Sequence, residues 1–156
     1  MTDPAKAAPM LYPMFVVFDL DGTLADGKHR EHFINREIGA KDWRGYFAAC
    51  DRDQAIGPIV NTLRALAAAG HDIEIWTGRS DEVAEKTAAW LQERGLHGFK
   101  MRSRPAGDHT PDHELKAAWM EQASRKPSLV FEDRARVVAM WRSHGIVCCQ
   151  VAPGDF

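Results

Sequence analysis

Cysteine is scarce in this chain. The three present, Cys50, Cys148 and Cys149, are odd in number, two are adjacent, and no C-x-x-C spacing occurs. That excludes a disulfide framework and a thiolate zinc site, and it suits reduced thiols in a cytoplasmic setting. Long hydrophobic runs are missing as well. The strongest early one, Phe15-Val16-Val17-Phe18, is far short of the ~20 residues that span a bilayer. The opening MTDPAKAAPMLYPM has no apolar stretch of signal-peptide character, so neither export nor membrane insertion is expected. Positive charge is not in excess: 20 Lys and Arg stand against 22 Asp and Glu, a formal net charge of −2. A generally basic nucleic-acid coat is thereby excluded, although a local basic patch is not. Internal repeats and low-complexity segments are also lacking.

What is present suits one domain. The chain has 156 residues, 45% hydrophobic and 27% charged, enough apolar material for a core without disulfide or metal staples. Residues 1–12, with Pro4 and Pro9, read as a flexible leader, and 13–156 as the domain. Met14 to Phe18 is a continuous apolar run of the kind buried on both faces of a parallel sheet, and it stops at Asp19-Leu20-Asp21-Gly22-Thr23. Residues 26–55 read as a small helical insertion, with short helices expected over His29–Ile38 and Asp42–Cys50.

Beyond the insertion, strand and helix alternate. Ile59, Val60, Leu63 and Leu66 recur at helical spacing, and Ile73 to Thr77 is a strand. Val83, Thr87, Trp90 and Leu91 mark a second helix, and Phe99 to Met101 a short strand. Thr110-Pro111 suggests an N-cap with proline at the first helical position, followed by inward-facing Leu115, Ala118 and Trp119. Ser128 to Phe131, the helix around Val137, Val138 and Trp141, and Ile146 to Val151 complete the series. This order predicts an α/β class, a central parallel sheet wrapped by helices.

In such sheets ligands gather outside the carboxyl ends of the strands. Three strands end there in reactive groups: Asp19 and Asp21, then Thr77 and Arg79, then Glu132 and Asp133. Lys116 falls on the first turns of an intervening helix. Two carboxylates two positions apart on a turn can take different roles, Asp19 as cation ligand and nucleophile, Asp21 as general acid and base. Mg²⁺ needs only a few oxygen donors, and Asp133 is the distant ligand, with Glu132 as a direct or water-mediated helper. Thr77 can bond a phosphoryl oxygen, Lys116 supplies a point charge, and Arg30, Arg79 and Arg134 are candidates for bidentate phosphate contacts.

Four signatures carry a resemblance to the haloacid dehalogenase superfamily of phosphohydrolases: Phe18-Asp19-Leu20-Asp21-Gly22-Thr23-Leu24, Trp76-Thr77-Gly78-Arg79, Lys116, and Phe131-Glu132-Asp133-Arg134. The resemblance implies a Rossmann-like three-layer sandwich and an aspartyl-phosphate mechanism, with Asp19 attacking phosphorus and Asp21 serving the leaving group and then water. It also implies Mg²⁺ held by Asp19, the Asp21 backbone carbonyl and Asp133. From Phe15 onward the chain is similar to the 3′-phosphatase half of bacteriophage polynucleotide kinase, through Arg30, Thr77-Gly78-Arg79, Asp112 before Lys116, Glu132-Asp133-Arg134 and the closing Val151 to Phe156. That likeness implies that Asp19, Asp21, Arg30, Arg79, Asp112 and Asp133 serve activity, with a 3′-phosphorylated DNA or RNA end or a nucleotide as substrate. The sequence departs from the family in having Glu132 where paired aspartates are usual. No G-x-x-x-x-G-K-[ST] occurs, so a phosphatase without a fused kinase is expected, with a separate kinase or ligase as a possible partner.

Alternatives remain at this level. A mononucleotide or small-metabolite phosphatase shares the same signatures, and a non-catalytic module that binds nucleic-acid ends is the reading from another class. Trp43, Tyr46 and Phe47 would stack a terminal base or pack the insertion onto the core. Arg102 and Arg104 would touch a nucleic-acid backbone or lie on a solvated loop. His29-x-x-His32 and His109-x-x-x-His113 lack a third ligand, so zinc is not expected. Cys148 and Cys149 are read as core residues of the last strand.

Overall fold

The computed structural model describes residues 12–37 and 39–154. The leader expected over 1–12 lies, apart from its last residue, outside the described residues. Five strands form one parallel sheet in the order β5-β4-β1-β6-β7: β1 Phe15–Phe18, β4 Asp72–Ser80, β5 Lys100–Arg104, β6 Leu129–Glu132 and β7 Val147–Gln150. β2 Ala25–Asp26 and β3 Gln54–Ala55 form a separate antiparallel ribbon. The helices are α1 Trp43–Ala48, α2 Gly57–Ala68, α3 Ala84–Glu93, α4 Asp112–Gln122 and α5 Ala135–Ser143.

The side-chain alternation of β1 divides the core in two. Phe15 and Val17 pack with Trp76, Leu115, Trp119, Met120, Val137, Val138 and Trp141, which come largely from α4 and α5. Val16 and Phe18 pack with Val60, Leu63, Ile73, Ile75, Trp90 and Leu91, which join α2 and α3 to the opposite face. Because β1 is covered on both faces, it carries no polar residue. The result is the three-layer α/β sandwich that the alternation of elements called for.

The strand order places a switch point at β1. The chain leaves β1 for β4 and β5 on one side, then returns to β6 and β7 on the other. Helices therefore diverge on either side of the carboxyl end of β1, opening a crevice where Asp19 begins its loop.

Three local expectations give way. The segment read as a helix over His29–Ile38 is a 3-10 turn over Lys28–Phe33, with Arg30 in its middle drawn fully inside by ion pairs. Residue 38 itself lies outside the described residues. The second insertion helix is shorter than expected, Trp43–Ala48, and starts where the Asp42 side chain accepts a hydrogen bond from the Gly45 amide. At α4, Pro111 is the cap and Asp112 the first helical residue; Thr110 serves instead as a loop anchor, its carbonyl accepting from Arg104 at 2.5 Å. The β2–β3 ribbon at the base of the insertion was not foreseen, because two residues of pairing leave no periodic signal.

Candidate active site

The loop after β1 is shaped by hydrogen bonds from the amides of Thr23, Leu24 and Ala25 to the Leu20 carbonyl. Gly22 has φ +81, and a Cβ there would lie 2.1 Å from Asp133 Oδ2. Only glycine serves at this position: it satisfies a left-handed backbone and admits the carboxylate arriving from β6.

Asp19, Glu132, Asp133 and Lys116 meet beneath the loop, all buried. Lys116 Nζ donates to Asp19 Oδ1 at 2.7 Å and to Glu132 Oε2 at 2.8 Å, and lies 3.3 Å from Asp112 Oδ2. Thr23 Oγ1 donates to the second Asp19 oxygen at 3.3 Å. Burial, with the Glu132 charge beside it, pushes the Asp19 carboxyl up to about 7. Burial and Asp19 raise Asp133 to about 6, and burial raises Glu132 to about 7. The surrounding acids hold the Lys116 ammonium well above its usual range despite burial. The cluster is thus acid-rich, with carboxylates outnumbering cations in a low-dielectric pocket.

This donor set suits a hard cation. Among the described residues Asp19, Glu132 and Asp133 bring one carboxylate oxygen each within 4.8 Å of the others. Asp133 Oδ1 is buried without a hydrogen-bond partner, an arrangement that is costly unless something positive meets it. Glu132 differs. Its Oε1 accepts the amides of Asp133 and Arg134 and its Oε2 accepts Lys116. Its oxygens thus orient the turn and the lysine, and of the three carboxylates Asp133 is the one with a buried oxygen lacking a hydrogen-bond partner.

Asp21 sits in the opposite environment. Its Oδ1 accepts from Arg30 Nη2 at 2.6 Å and from Arg79 Nη2, and Oδ2 lies 3.4 Å from Arg79 Nε. Burial alone would raise its pKa, but the guanidinium groups of Arg79 and Arg30 outweigh that and hold it at about 2. Two acids on one turn are therefore separated by their surroundings, one in an acid-rich pocket and one between arginines.

Arg30 and Arg79 were candidates for direct phosphate contact. The structure turns both guanidinium groups onto carboxylates instead. Arg30 is 0% exposed and donates to Asp53 Oδ1 at 2.8 Å and Oδ2 at 2.6 Å. Arg79 donates to Asp53 Oδ2 at 3.1 Å and to Thr87 at 3.2 Å. A buried guanidinium without an anion is prohibitively costly, so these groups saturate one another.

Asp53 is the residue that sequence reading missed. It is fully buried, binds both arginines, and has His29 Nε2 at 2.9 Å. Its carbonyl accepts from Trp90 Nε1 and Arg94. No local motif marks it; a pattern of two buried-fated arginines without assigned anions was the only hint.

The remaining expected residues fall as follows. The Thr77 hydroxyl accepts the Arg79 amide at 3.1 Å, which leaves its own proton free for another acceptor. Asp112 is wedged against Gly78, where a Cβ would come within 2.3 Å of Asp112 Oδ1, and its charge faces Lys116 and Arg104. Lys116, with Arg134 and Arg104, keeps the Asp112 carboxyl below its usual range despite burial. Arg134 lines the cleft, its guanidinium stabilised by Asp112, Asp19 and Asp133. Arg104 fastens the loop beyond β5, donating to the Gly78 carbonyl at 2.8 Å and the Thr110 carbonyl at 2.5 Å. Arg102 lies over the Trp76 ring, 5.0 Å from its centroid. Cys148 is buried, whereas Cys149 is exposed rather than core.

Above the acids opens a cleft of about 700 Å³. Asp19 and Asp21 lie in it, between Trp43, Arg44, Tyr46 and Phe47 of α1 and the loop from Arg104 to Pro111. No helix among the described residues is long and apolar enough to cross a membrane.

The family model described as polynucleotide kinase PNKP phosphatase domain matches residues 13–156. The chain belongs to this PNKP phosphatase family. It therefore is a haloacid dehalogenase-type phosphatase domain, in line with the resemblance its signatures carried. Solved structures agree on the fold. A chain from a structure of the Pnkp1/Rnl/Hen1 complex is 24% identical with a TM-score of 0.78, covering 99% of this chain and 52% of that one. A second, from the Pnkp1/Rnl/Hen1 RNA repair complex, is 23% identical with a TM-score of 0.75, covering 96% and 46%. The putative HAD-hydrolase YfnB from Bacillus subtilis, bound to magnesium, is 15% identical with a TM-score of 0.61, covering 88% of each. The PNKP-type phosphatase domain described here thus spans about half the length of the two Pnkp1-complex chains.

Proposed function

We propose that this domain is a Mg²⁺-dependent phosphomonoesterase that works through an aspartyl-phosphate and removes the 3′-phosphate from a DNA or RNA end or a 3′-nucleotide. The observation that carries the reading is the division of labour between Asp19 and Asp21, two acids on one turn held by a lysine and by two arginines respectively.

In the first step an Asp19 oxygen forms a bond to phosphorus as the bond to the leaving 3′-oxygen breaks, and Asp21 gives that oxygen its proton. Asp21 is ionised in the free protein; the negative charge of an arriving phosphoryl group beside it favours its protonation. In the second step Asp21, again a carboxylate, takes a proton from water as that water bonds to phosphorus. The bond to Asp19 breaks as the bond from water forms, inorganic phosphate leaves, and the proton on Asp21 passes to solvent, because Arg79 and Arg30 keep this carboxyl ionised in the free protein. Lys116 holds Asp19 in line, Thr77 offers its hydroxyl proton to a phosphoryl oxygen, and Arg30 and Arg79 act as positioning residues for Asp21. Asp19, Asp133 and the Asp21 carbonyl would hold Mg²⁺, with Glu132 orienting them from behind. The ion, when bound, supplies charge neutralisation for the phosphoryl oxygens.

Family membership supports the 3′-end as substrate, and the Pnkp1/Rnl/Hen1 complexes support a kinase or ligase as a partner. The test is a panel of 3′-phosphorylated oligonucleotide, 3′-nucleotide, 5′-nucleotide and sugar phosphate with Mg²⁺ present. Preference for the first two is expected; preference for the sugar phosphate overturns the substrate assignment. Phosphate release by Asp19→Asn overturns the nucleophile.

A further inference from the structure

The aromatic residues of α1 are placed in a way that neither core explains. Trp43, Tyr46 and Phe47 stand at positions i, i+3 and i+4, so they share one helix face. Their rings form a group of their own: Trp43 and Phe47 lie stacked with centroids 6.0 Å apart, and Tyr46 meets them edge-on at 5.7 and 5.5 Å. None of the three belongs to either hydrophobic core cluster. No residue of α1 is buried, and the Trp43 residue is 42% exposed. Tyr46 does lie over the buried Arg30 guanidinium, with Arg30 Cζ 4.1 Å from its ring centroid, and so fastens α1 to that network, whereas Trp43 and Phe47 pack in neither core. All three line the cleft that holds Asp19 and Asp21.

An aromatic wall of one exposed and two half-buried rings beside an acidic floor suits a flat apolar group attached to a phosphate. The size of the cleft agrees, since about 700 Å³ lies in the range that accommodates a nucleotide-sized ligand. Charge agrees as well. Lys41 lies over the Trp43 ring at 5.6 Å and Arg44 of α1 lines the cleft, so the charge beside the rings themselves is positive, while Arg104 and Arg134 stand across the cleft among Asp108 and Asp112. A sugar phosphate offers no such flat face, and a membrane or protein partner would not enter a cleft that ends on two catalytic carboxylates.

Resting on the 3′-phosphatase reading, we propose that the α1 wall, with Trp43 as its outermost ring, stacks the terminal nucleobase of a single-stranded or frayed 3′-end. The wall recognises that a base is present, not which base, because every base offers a π-face and α1 presents no ordered set of donors and acceptors. Base-ended substrates are then favoured over ends that have lost the base.

The experiment compares kcat/KM for two oligonucleotides that differ only at the 3′-phosphorylated terminal residue, one carrying a base and one abasic, with wild type, Trp43→Ala and Trp43→Phe. Wild type is expected to favour the base-ended substrate about tenfold, chiefly through KM. Trp43→Ala is expected to erase that ratio and Trp43→Phe to keep most of it. A merely structural role for Trp43 would lower both substrates alike and leave the ratio standing, which overturns the proposal. Wild type that is active but indifferent to the base overturns it too, while leaving the 3′-phosphatase reading intact. Wild type that releases no phosphate from either oligonucleotide, yet does so from a small phosphate ester, overturns both.

Discussion

Arg30 and Asp53 are joined by two hydrogen bonds, Nε to Oδ1 at 2.8 Å and Nη2 to Oδ2 at 2.6 Å, with neither side chain exposed. Behind the acid on the turn, therefore, lies a buried ion network of two arginines and two aspartates. Its removal has separable consequences for stability and for activity.

Asp53→Ala leaves Arg30 and Arg79 facing one carboxylate instead of two. Breaking a buried pair on one side costs about 3–5 kcal/mol, so urea denaturation should show a midpoint well below wild type. Among molecules that still fold, kcat should fall more than KM rises, because Asp21 is no longer held in place. An unchanged midpoint would show that the pair contributes no stability.

Asp19→Asn should abolish phosphate release, by roughly 10⁴-fold or more in kcat. Thermal denaturation in EDTA should find the variant as stable as wild type or more so. The substitution removes a carboxyl that burial, with the Glu132 charge beside it, holds up at about 7.

Metal removal and pH act on the same pocket. Asp19, Asp133 and Glu132 have folded values of about 7, 6 and 7 against 3.8, 3.8 and 4.5 for the ordinary groups. Between those limits the folded state binds more protons than the unfolded one. Metal-free stability should therefore rise as pH falls from about 8 towards 5, and decline as pH climbs back through 7. Saturating Mg²⁺ at pH 7.5 should raise the Tm, with about 2.7 kcal/mol gained at 100-fold excess over Kd. Asp133→Asn should lose most of that Mg²⁺ shift, which differential scanning calorimetry can read directly.

Gly22→Ala tests the turn. A left-handed backbone costs an alanine about 1–2 kcal/mol, and its Cβ would also displace Asp133 Oδ2. A lower Tm together with a weakened response to Mg²⁺ is expected; a lower Tm with an unaltered metal response would mean that Asp133 simply moves aside.

Much of the candidate site is legible along the chain because its groups stand at strand ends. Asp19, Asp21, Thr77, Lys116, Glu132 and Asp133 all occupy such positions or the helix turn beside them, where a short apolar run followed by a polar one betrays the boundary. Asp53 escaped for the opposite reason. It sits in an irregular stretch, and its meaning comes wholly from arginines 23 and 26 residues away in either direction. The buried carboxylates that Arg30 and Arg79 meet were hidden with it, because the sequence does not show which anion faces a cation.

The sequence by itself determined the layered fold and the order of the elements, since burial of β1 on both faces and the helical spacing of Val60, Leu63, Trp90, Leu91, Val137 and Trp141 are one-dimensional patterns. It also determined which acids stand together on the first turn. Only the tertiary structure decided how those acids differ, because electrostatic environment is a property of proximity: Lys116 and Glu132 reach Asp19 from distant elements, while Arg30, Arg79 and Asp53 enclose Asp21. It alone decided, too, that the rings of α1 face the cleft and not the core, for a helix of six residues has no period long enough to say which way its aromatic face will turn.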